Sequence, residues 1–201
     1  MPPYPEHPSL AILGGAKFET KSPLIKLLLE KYDHLFIAGA LANDVFNAQG
    51  FPVGISLISE ESPTLEILNH PHFVAPIDVT VERPDGQARV KLPKDVASDE
   101  RIVDIGPDSV AKLAPFIMSA KYILWNGPTG LYEHGYKSYT HAIAELIGKC
   151  GASAVIGGGD TIASIEESGM TPSPNTFLST GGGAMLEYLL NGSLPGIDAL
   201  N

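Results

Sequence analysis

Three consecutive glycines followed by an acid form the clearest candidate for chemistry in this sequence. Gly157, Gly158 and Gly159 come directly after a predicted apolar strand, Asp160 stands at the start of a predicted helix, and Gly169 stands at its expected end. Glycines let the backbone turn sharply and approach a ligand closely, because they have no Cβ. A helix N-terminus presents unpaired N–H groups that suit a phosphate, and an acid there can share a magnesium ion with that phosphate. The alternative is a tight strand-to-helix turn in which Asp160 is an N-cap and no ligand binds.

Two lysines follow a second glycine turn. Lys17 and Lys21 come shortly after Gly14 and Gly15 and directly before a predicted helix. Cations close to the positive end of a helix are unfavourable unless an anion compensates their charge, and phosphates would do so. The alternative is a pair of solvated surface lysines, so these residues alone do not decide between a site and a surface.

A polar pair flanks a third turn. Asn126 and Glu133 stand on either side of the stretch 127–132. Asn126 can donate to a phosphate oxygen, and Glu133 can accept from sugar hydroxyls. The alternative, an Asx turn before a proline and an exposed capping acid, is favoured by the spacing alone.

Short apolar runs alternate with helical patterns along most of the chain. Predicted strands cover residues 10–13, 35–38, 72–82, 88–92, 102–105, 122–125, 152–156 and 176–180. Such alternation is typical of a parallel sheet covered by helices on both faces. We therefore predict that residues 1–201 form a single α/β domain. The expected architecture is a three-layer, doubly wound, Rossmann-like and mainly parallel sheet of about six strands.

Two short residue pairs predict a turn and a helix start within this alternation. Asp85 and Gly86 predict a tight hairpin turn, which places a β-hairpin insertion near residues 79–92 at the edge of the sheet. Ser22 and Pro23 predict the start of the first helix, because proline is favoured in the first helical turn.

The predicted strands share a feature at their carboxyl ends. Five of them end in glycine, at Gly14, Gly39, Gly127, Gly157 and Gly181. In an open parallel sheet these ends lie at one edge, where ligands bind. The sequence therefore favours a nucleotide or phosphate site at this edge. It lacks the Gly-x-x-x-x-Gly-Lys-Ser/Thr motif of P-loop proteins and the Gly-x-Gly-x-x-Gly fingerprint after the first strand.

Composition excludes several other classes of protein. The formal net charge of −10 argues against a broad nucleic-acid surface, and one cysteine rules out an internal disulfide framework. The sequence contains neither a signal-peptide pattern nor an apolar run long enough to span a membrane. We expect a cytoplasmic monomer with neither nucleic acid nor membrane as a partner.

Taken together, these motifs resemble the phosphoglycerate kinase family, specifically its C-terminal, nucleotide-binding domain. Each matching run alone is weak evidence, but the runs occur in the family's order and their combination is highly specific. They are Ala11 to Lys17 with Lys21, Asp104 to Pro107, Leu124 to Pro128 with Gly130 and Glu133, Gly157 to Thr161, and Ser179 to Ala184 with Leu194 to Gly196.

The resemblance implies roles in phosphoryl transfer between 1,3-bisphosphoglycerate and ADP. Lys17 would lie beside the transferred phosphoryl group, which would also face the N–H groups of Gly181, Gly182 and Gly183. Asp160 would bind the Mg²⁺ that accompanies ADP or ATP. In this reaction class, positioning and charge neutralisation provide most of the catalysis.

The resemblance also implies how the nucleotide is held. Gly39 and Ala40 would form part of the adenine slot, Val103 would be an apolar wall, and Glu133 would accept from the ribose hydroxyls. Lys21, Asn126 and the loop from Gly158 would contact the phosphates. The full nucleotide-binding set implied in this way is Gly15, Ala16, Lys17, Lys21, Gly39, Ala40, Val103, Asn126, Pro128, Glu133, Gly157, Gly158, Gly159, Asp160 and Thr161.

The chain also departs from the family pattern. Phe18 and Thr20 replace a usual valine and a frequent aspartate, and the adenine-slot run 38–43 is alanine-rich rather than glycine-rich. These changes are expected to narrow the pocket. They bear on base selectivity more than on phosphate binding.

A preceding domain holds the acidic substrate in the family, with arginines and a histidine. This chain starts at the first strand of the second domain, and its 13 Lys and Arg against 23 Asp and Glu include no basic cluster to replace that site. The resemblance therefore implies an N-terminal 3-phosphoglycerate-binding domain as the missing partner, and no catalysis by this chain alone. The alternatives are a non-catalytic nucleotide-binding domain and an interaction domain that uses the hairpin. The retained Lys17, Asn126, Glu133 and Asp160 argue against the last of these.

Overall fold

Strands and helices alternate along the chain in the computed structural model, which describes residues 5–169 and 171–192. The strands in these ranges are β1 Ser9–Leu13, β2 His34–Ile37, β3 Phe73–Val74, β4 Val79–Glu82, β5 Ala88–Lys91, β6 Arg101–Ile105, β7 Tyr122–Asn126, β8 Ser153–Gly157 and β9 Thr176–Ser179. The α-helices are α1 Phe18–Lys31, α2 Ala40–Ala48, α3 Leu65–Leu68, α4 Pro107–Ser119, α5 Ser138–Cys150, α6 Gly159–Ser168 and α7 Gly182–Asn191. No helix in the described ranges has the length and apolar character needed to cross a membrane. The run 194–196 lies outside the described residues.

Six strands form the main sheet, in the order β3-β2-β1-β7-β8-β9. Every neighbouring pair is parallel. The register aligns Leu13 with Ile37 and Asn126, Asn126 with Gly157, and Gly157 with Ser179. The glycines that follow these strands therefore lie at one edge, as the sequence predicted.

Alternate side chains of the main-sheet strands point into two apolar layers. Ile12 and Trp125 pack with α4, α5 and α6 on one face, whereas Leu13 and Leu124 pack with α1, α2, α3 and α7 on the other. Each of these strand residues is at most 1% exposed. The predicted three-layer α/β architecture is confirmed.

A second, antiparallel sheet of three strands has the order β5-β4-β6. The hairpin at Asp85 and Gly86 is confirmed, but it belongs to this separate sheet and not to the edge of the main sheet. The φ of 77° at Gly86 explains why glycine is needed there. The predicted strand 72–82 is wrong as one element, because it divides into β3 of the main sheet and β4 of the small sheet. Pro76, which has no N–H to donate to a ladder, lies between the two parts.

The first helix begins earlier than predicted. α1 starts at Phe18 rather than at Ser22, because the Phe18 N–H donates to Ser59 Oγ at 2.8 Å. The Ser59 hydroxyl in turn donates to Asp44 Oδ2 at 2.9 Å. Lys17 precedes the helix in a left-handed conformation, with φ 65°.

The helix after the triple glycine also starts one position before Asp160. Gly158, with φ 102°, is the N-cap of α6, and the helix begins at Gly159. The prediction that Asp160 is the N-cap is therefore wrong. Asp160 instead lies in the first turn, where the helix dipole stabilises a negative charge. Gly169 ends α6 with φ 72°, as predicted.

Candidate functional site

A cleft of about 560 Å³ opens at the carboxyl edge of the main sheet. The turns after β1, β2 and β7 form one side of it, and residues from β4, β6 and the stretch 55–57 form the other. The cleft brings together eight residues that the sequence singled out: Gly15, Ala16, Gly39, Ala40, Val103, Pro128, Glu133 and Asp160.

One part of the cleft is a narrow apolar slot. Gly39 has φ 62°, and a Cβ at this position would lie 2.6 Å from the backbone nitrogen of Gly15, so only glycine permits the close approach of the two turns. Val103 lines the slot and is 3% exposed, whereas Ile55 and Leu57 are 59% and 64% exposed. Exposed aliphatic side chains beside a narrow slot can cover a planar ring.

The starts of α6 and α7 meet beside this cleft. A Cβ on Gly182 would lie 2.8 Å from the Cα of Gly158 and 3.0 Å from Asn126 Nδ2. Asn126 is 7% exposed, and its Nδ2 has no hydrogen-bond partner within the described part of the chain. A buried donor without a partner, placed between two helix N-termini, is suited to bind an anion.

Hydrogen bonds between loops hold this arrangement together. The Gly127 N–H donates to Thr161 Oγ1 at 3.0 Å, and the Gly158 N–H donates to the Ser179 carbonyl at 3.2 Å. These bonds join the turn after β7 to α6 and join the turn after β8 to β9. The predicted residues Gly157, Gly159, Gly181 and Gly183 lie in or beside the same turns and helix starts.

The two lysines are at the start of α1 and do not line the cleft. Lys21 Nζ donates to the Gly14 carbonyl at 2.7 Å, and burial lowers the pKa of the Lys21 amine to about 8. Lys17 is exposed, and its carbonyl accepts from the N–H and hydroxyl groups of Thr20 at 3.2 and 2.9 Å. The two amines therefore differ: one is desolvated and held in place, whereas the other is in solvent.

Glu133 and Asp160 are exposed carboxylates on the cleft. Across residues 5–169 and 171–192, no group of three or more His, Cys, Asp or Glu side chains is placed to hold a metal ion. Magnesium, however, is commonly held by one or two carboxylates together with substrate phosphates and water. A single exposed carboxylate in the first turn of α6 fits that donor set.

A buried carboxyl under the slot was given no individual role on sequence grounds. Asp104 is 5% exposed, and its Oδ1 accepts from the Thr129 hydroxyl at 2.9 Å and from the Ile105 N–H at 2.8 Å. The Thr129 carbonyl accepts from the Gly39 N–H at 3.1 Å. Burial raises the pKa of Asp104 to about 7. The sequence feature that could have identified Asp104 is its position as an acid within the apolar run 102–105.

Comparison with known proteins identifies the relatives of this chain. The family model described as phosphoglycerate kinase matches residues 3–192. A phosphoglycerate kinase from Francisella tularensis subsp. novicida (strain U112) is 40% identical over 207 residues, which cover 98% of this chain and 53% of that protein. The protein of the same name from F. tularensis subsp. tularensis (strain WY96-3418) is 39% identical with the same coverage.

Solved structures agree with this result. The structure of phosphoglycerate kinase from Coxiella burnetii matches with a TM-score of 0.83 and 34% identity, over 98% of this chain and 53% of that one. The crystal structure of the phosphoglycerate kinase from Pyrococcus horikoshii OT3 matches with a TM-score of 0.81 and 29% identity. The chain spans about half the length of the relatives it matches. The match over residues 3–192 shows that the chain belongs to the phosphoglycerate kinase family.

Proposed function

We propose that residues 1–201 form the nucleotide-binding domain of a phosphoglycerate kinase and bind ADP or ATP with Mg²⁺. The observation that carries this proposal is the buried Nδ2 of Asn126 between the starts of α6 and α7, which has no hydrogen-bond partner among the residues that the structure describes. An anionic ligand would supply the missing hydrogen-bond acceptor. The apolar slot with Gly39, Ala40 and Val103 lies in the adjoining cleft and offers a place for the base.

The proposed nucleotide lies across both parts of the site. The base enters the slot between Gly39, Ala40 and Val103, and the ribose hydroxyls donate to Glu133. The phosphates lie against Asn126 and the start of α6, where the N–H groups and the helix dipole favour negative charge. A cleft of about 560 Å³ has a volume typical of small-molecule sites. The turn residues Gly15, Ala16 and Pro128 complete the lining.

Asp160 is the proposed protein ligand for Mg²⁺. When bound, the ion neutralises charge on the nucleotide phosphates. The carboxylate is exposed at the first turn of α6, so it can reach an ion outside the protein surface without moving the helix.

The proposed reaction of the whole enzyme is phosphoryl transfer between 1,3-bisphosphoglycerate and ADP. Lys17 is free to neutralise charge on the transferred group, because its side chain is exposed. The N–H groups of Gly181, Gly182 and Gly183 point from the start of α7 in the manner of an anion site. The acidic substrate would be held by the other half of the enzyme, since the relatives are about twice as long as this chain.

A stand-alone, non-catalytic nucleotide-binding domain is the second candidate. The excess of 23 Asp and Glu over 13 Lys and Arg favours it, because a surface of this charge has little capacity to hold a phosphorylated acid. Activity on addition of a separately produced substrate-binding domain would distinguish the kinase half from this candidate.

Nucleotide titration with Asp160→Ala tests the proposed function. Calorimetry should show that the wild-type chain binds Mg-ADP, and that the variant binds it about tenfold more weakly because a metal ligand is lost. In EDTA the two proteins should bind ADP equally. Glu166→Ala, an exposed acid on the same helix, is the matched control and should behave as the wild type. Absence of heat and of a thermal shift at millimolar nucleotide would overturn the proposal. Equal weakening with and without magnesium would show that Asp160 acts only on the helix.

A further inference from the structure

One carboxylate on α6 binds two side chains of the turn that carries Glu133. Glu167 Oε1 accepts from the Tyr132 hydroxyl at 2.8 Å, and Glu167 Oε2 accepts from Lys137 Nζ at 2.6 Å. The same amine lies 4.7 Å from the centre of the Tyr132 ring, within range of a cation–π interaction. Glu133 lies between Tyr132 and Lys137 in the sequence, so these contacts hold the turn on both sides of it.

The opposite side of the same turn is tied to the small sheet. The Leu131 N–H donates to the Val103 carbonyl at 2.7 Å, and the Tyr136 hydroxyl donates to Glu82 Oε1 at 2.8 Å. Residues 131–137 therefore bridge the small sheet and α6. Glu133 itself is exposed, so its carboxylate position follows the position of this turn.

We propose that Glu167 is a positioning residue for Glu133 and so contributes to recognition of the ribose hydroxyls. The inference rests on the proposed function, in which Glu133 accepts from those hydroxyls. Glu167 does not reach the nucleotide. It holds the 131–137 turn against α6, the helix whose first turn carries Asp160. It therefore fixes the position of Glu133, the proposed ribose contact, relative to Asp160, the proposed metal ligand.

The charges of Glu167 and Lys137 favour this role at neutral pH. The hydrogen bond from Lys137 holds the pKa of Glu167 below its usual range, and the bond to Glu167 raises the pKa of Lys137. Both groups are therefore ionised over the neutral range. A single exposed ion pair contributes little, but one carboxylate that accepts from two donors of one turn forms a small network.

The test compares Glu167→Gln with Glu166→Gln, using ADP and 2′,3′-dideoxy-ADP as ligands. Both glutamates are exposed and adjacent on α6, so the second variant controls for loss of charge on the helix. We expect Glu167→Gln to bind ADP about two- to fivefold more weakly than the wild type. Its affinity for 2′,3′-dideoxy-ADP should be unchanged, because that ligand has no hydroxyls for Glu133. Glu166→Gln should match the wild type with both ligands.

Lys137→Gln provides a second readout of the same contact. It should reproduce part of the selective loss for ADP, because it removes the ion pair but leaves the bond from Tyr132 to Glu167. Added to Glu167→Gln, it should cause less loss than it causes alone, because the ion pair is already absent there. Thermal unfolding of the unliganded variants reports whether the fold itself has changed.

Three results would overturn the inference. They are unchanged ADP affinity in Glu167→Gln, an equal loss for both ligands, and a wild-type chain that does not distinguish the two ligands. A wild-type chain that binds neither ligand would overturn the proposed function as well, and this outcome is separate from the other three.

Discussion

At the scale of the residue, Lys21 has a partly buried charge with no ion-pair partner among residues 5–169 and 171–192. Its amine donates to the Gly14 carbonyl, and burial lowers its pKa from 10.5 to about 8. The first turn of α1 adds an unfavourable dipole for a cation. The family resemblance implies that Lys21 contacts the nucleotide phosphates, and we propose that a bound phosphate supplies the compensating negative charge. Lys21 would then lower the stability of the unliganded protein and increase its affinity for the nucleotide.

Lys21→Met should therefore raise the free energy of unfolding at pH 7 by about 1–3 kcal/mol and weaken ADP binding. The folded pKa of Lys21 is below the unfolded pKa, so the cost of its charge is fully present below pH 8 and is relieved between pH 8 and 10.5. The advantage of the variant over the wild type should accordingly shrink as the pH rises through that window. Urea unfolding of both proteins from pH 7 to 10 measures this difference in the free energy of unfolding.

Lys26→Met is the matched control for this prediction. Lys26 is an exposed lysine on the same helix, so its replacement should change neither the pH dependence nor ADP affinity. A difference between wild type and Lys21→Met that stays constant from pH 7 to 10 would contradict the proposed cost of the buried charge.

At the scale of the element, a distant aspartate caps helix α4. The Asp78 carboxylate accepts from the N–H groups of Asp108 and Ser109 at 3.0 and 2.7 Å. Its carbonyl accepts from the Gly106 N–H at 3.0 Å. Gly106 and Pro107 correctly predicted where α4 begins, but the capping group comes from the segment before β4. The cap therefore also fixes the small sheet against the helical layer.

Asp78→Ala should lower the free energy of unfolding by about 2–3 kcal/mol. The change removes an N-cap and leaves the buried Ser109 N–H without its acceptor. The Ser109 hydroxyl loses its carboxylate acceptor at 2.6 Å and retains the Asp78 carbonyl at 3.0 Å. Chemical denaturation measures the effect. Asp108→Ala is the control, because Asp108 is exposed in the first turn of α4. Its replacement should change the free energy of unfolding by less than about 0.5 kcal/mol. Similar losses in both variants would show that helix charge, and not the cap, is responsible.

At the scale of the whole molecule, the proposed site would bind only one of the two reactants. The groups proposed to bind the nucleotide cluster at one edge of the main sheet, whereas the formal net charge is −10. Phosphoryl transfer needs donor and acceptor oxygens close together and in line. Enforced proximity can lower a barrier by about 7–11 kcal/mol, and this contribution requires a second binding site for the acid.

The 201-residue chain alone should therefore not phosphorylate 3-phosphoglycerate. A coupled assay should show no acid-dependent ATP consumption above that of a Lys17→Ala control. Lys17 and the helix start at Gly181–Gly183 should still be formed in the same preparation, because they belong to this fold. A clear rate that depends on Lys17 would mean that this chain contains an acceptor site of its own.

The sequence by itself determined the three-layer α/β class, most strands of the main sheet and the edge at which their glycine turns meet. Apolar runs such as 10–13 and 122–125 are local signals, because the period of the side chains encodes the element. The ends of α6 and α7 at Gly169 and Gly192 are also local, since both glycines adopt left-handed φ values of 72° and 73°. The family resemblance followed from the order of these turns.

Only the tertiary structure decided how distant segments complete those elements. The early start of α1 depends on Ser59, and the cap of α4 depends on Asp78. The slot depends on Asp104 and Thr129, which support Gly39. These partners are separated by 25 or more residues. The sequence does not indicate which remote backbone group a side chain will bind, because that contact forms only after the layers have packed.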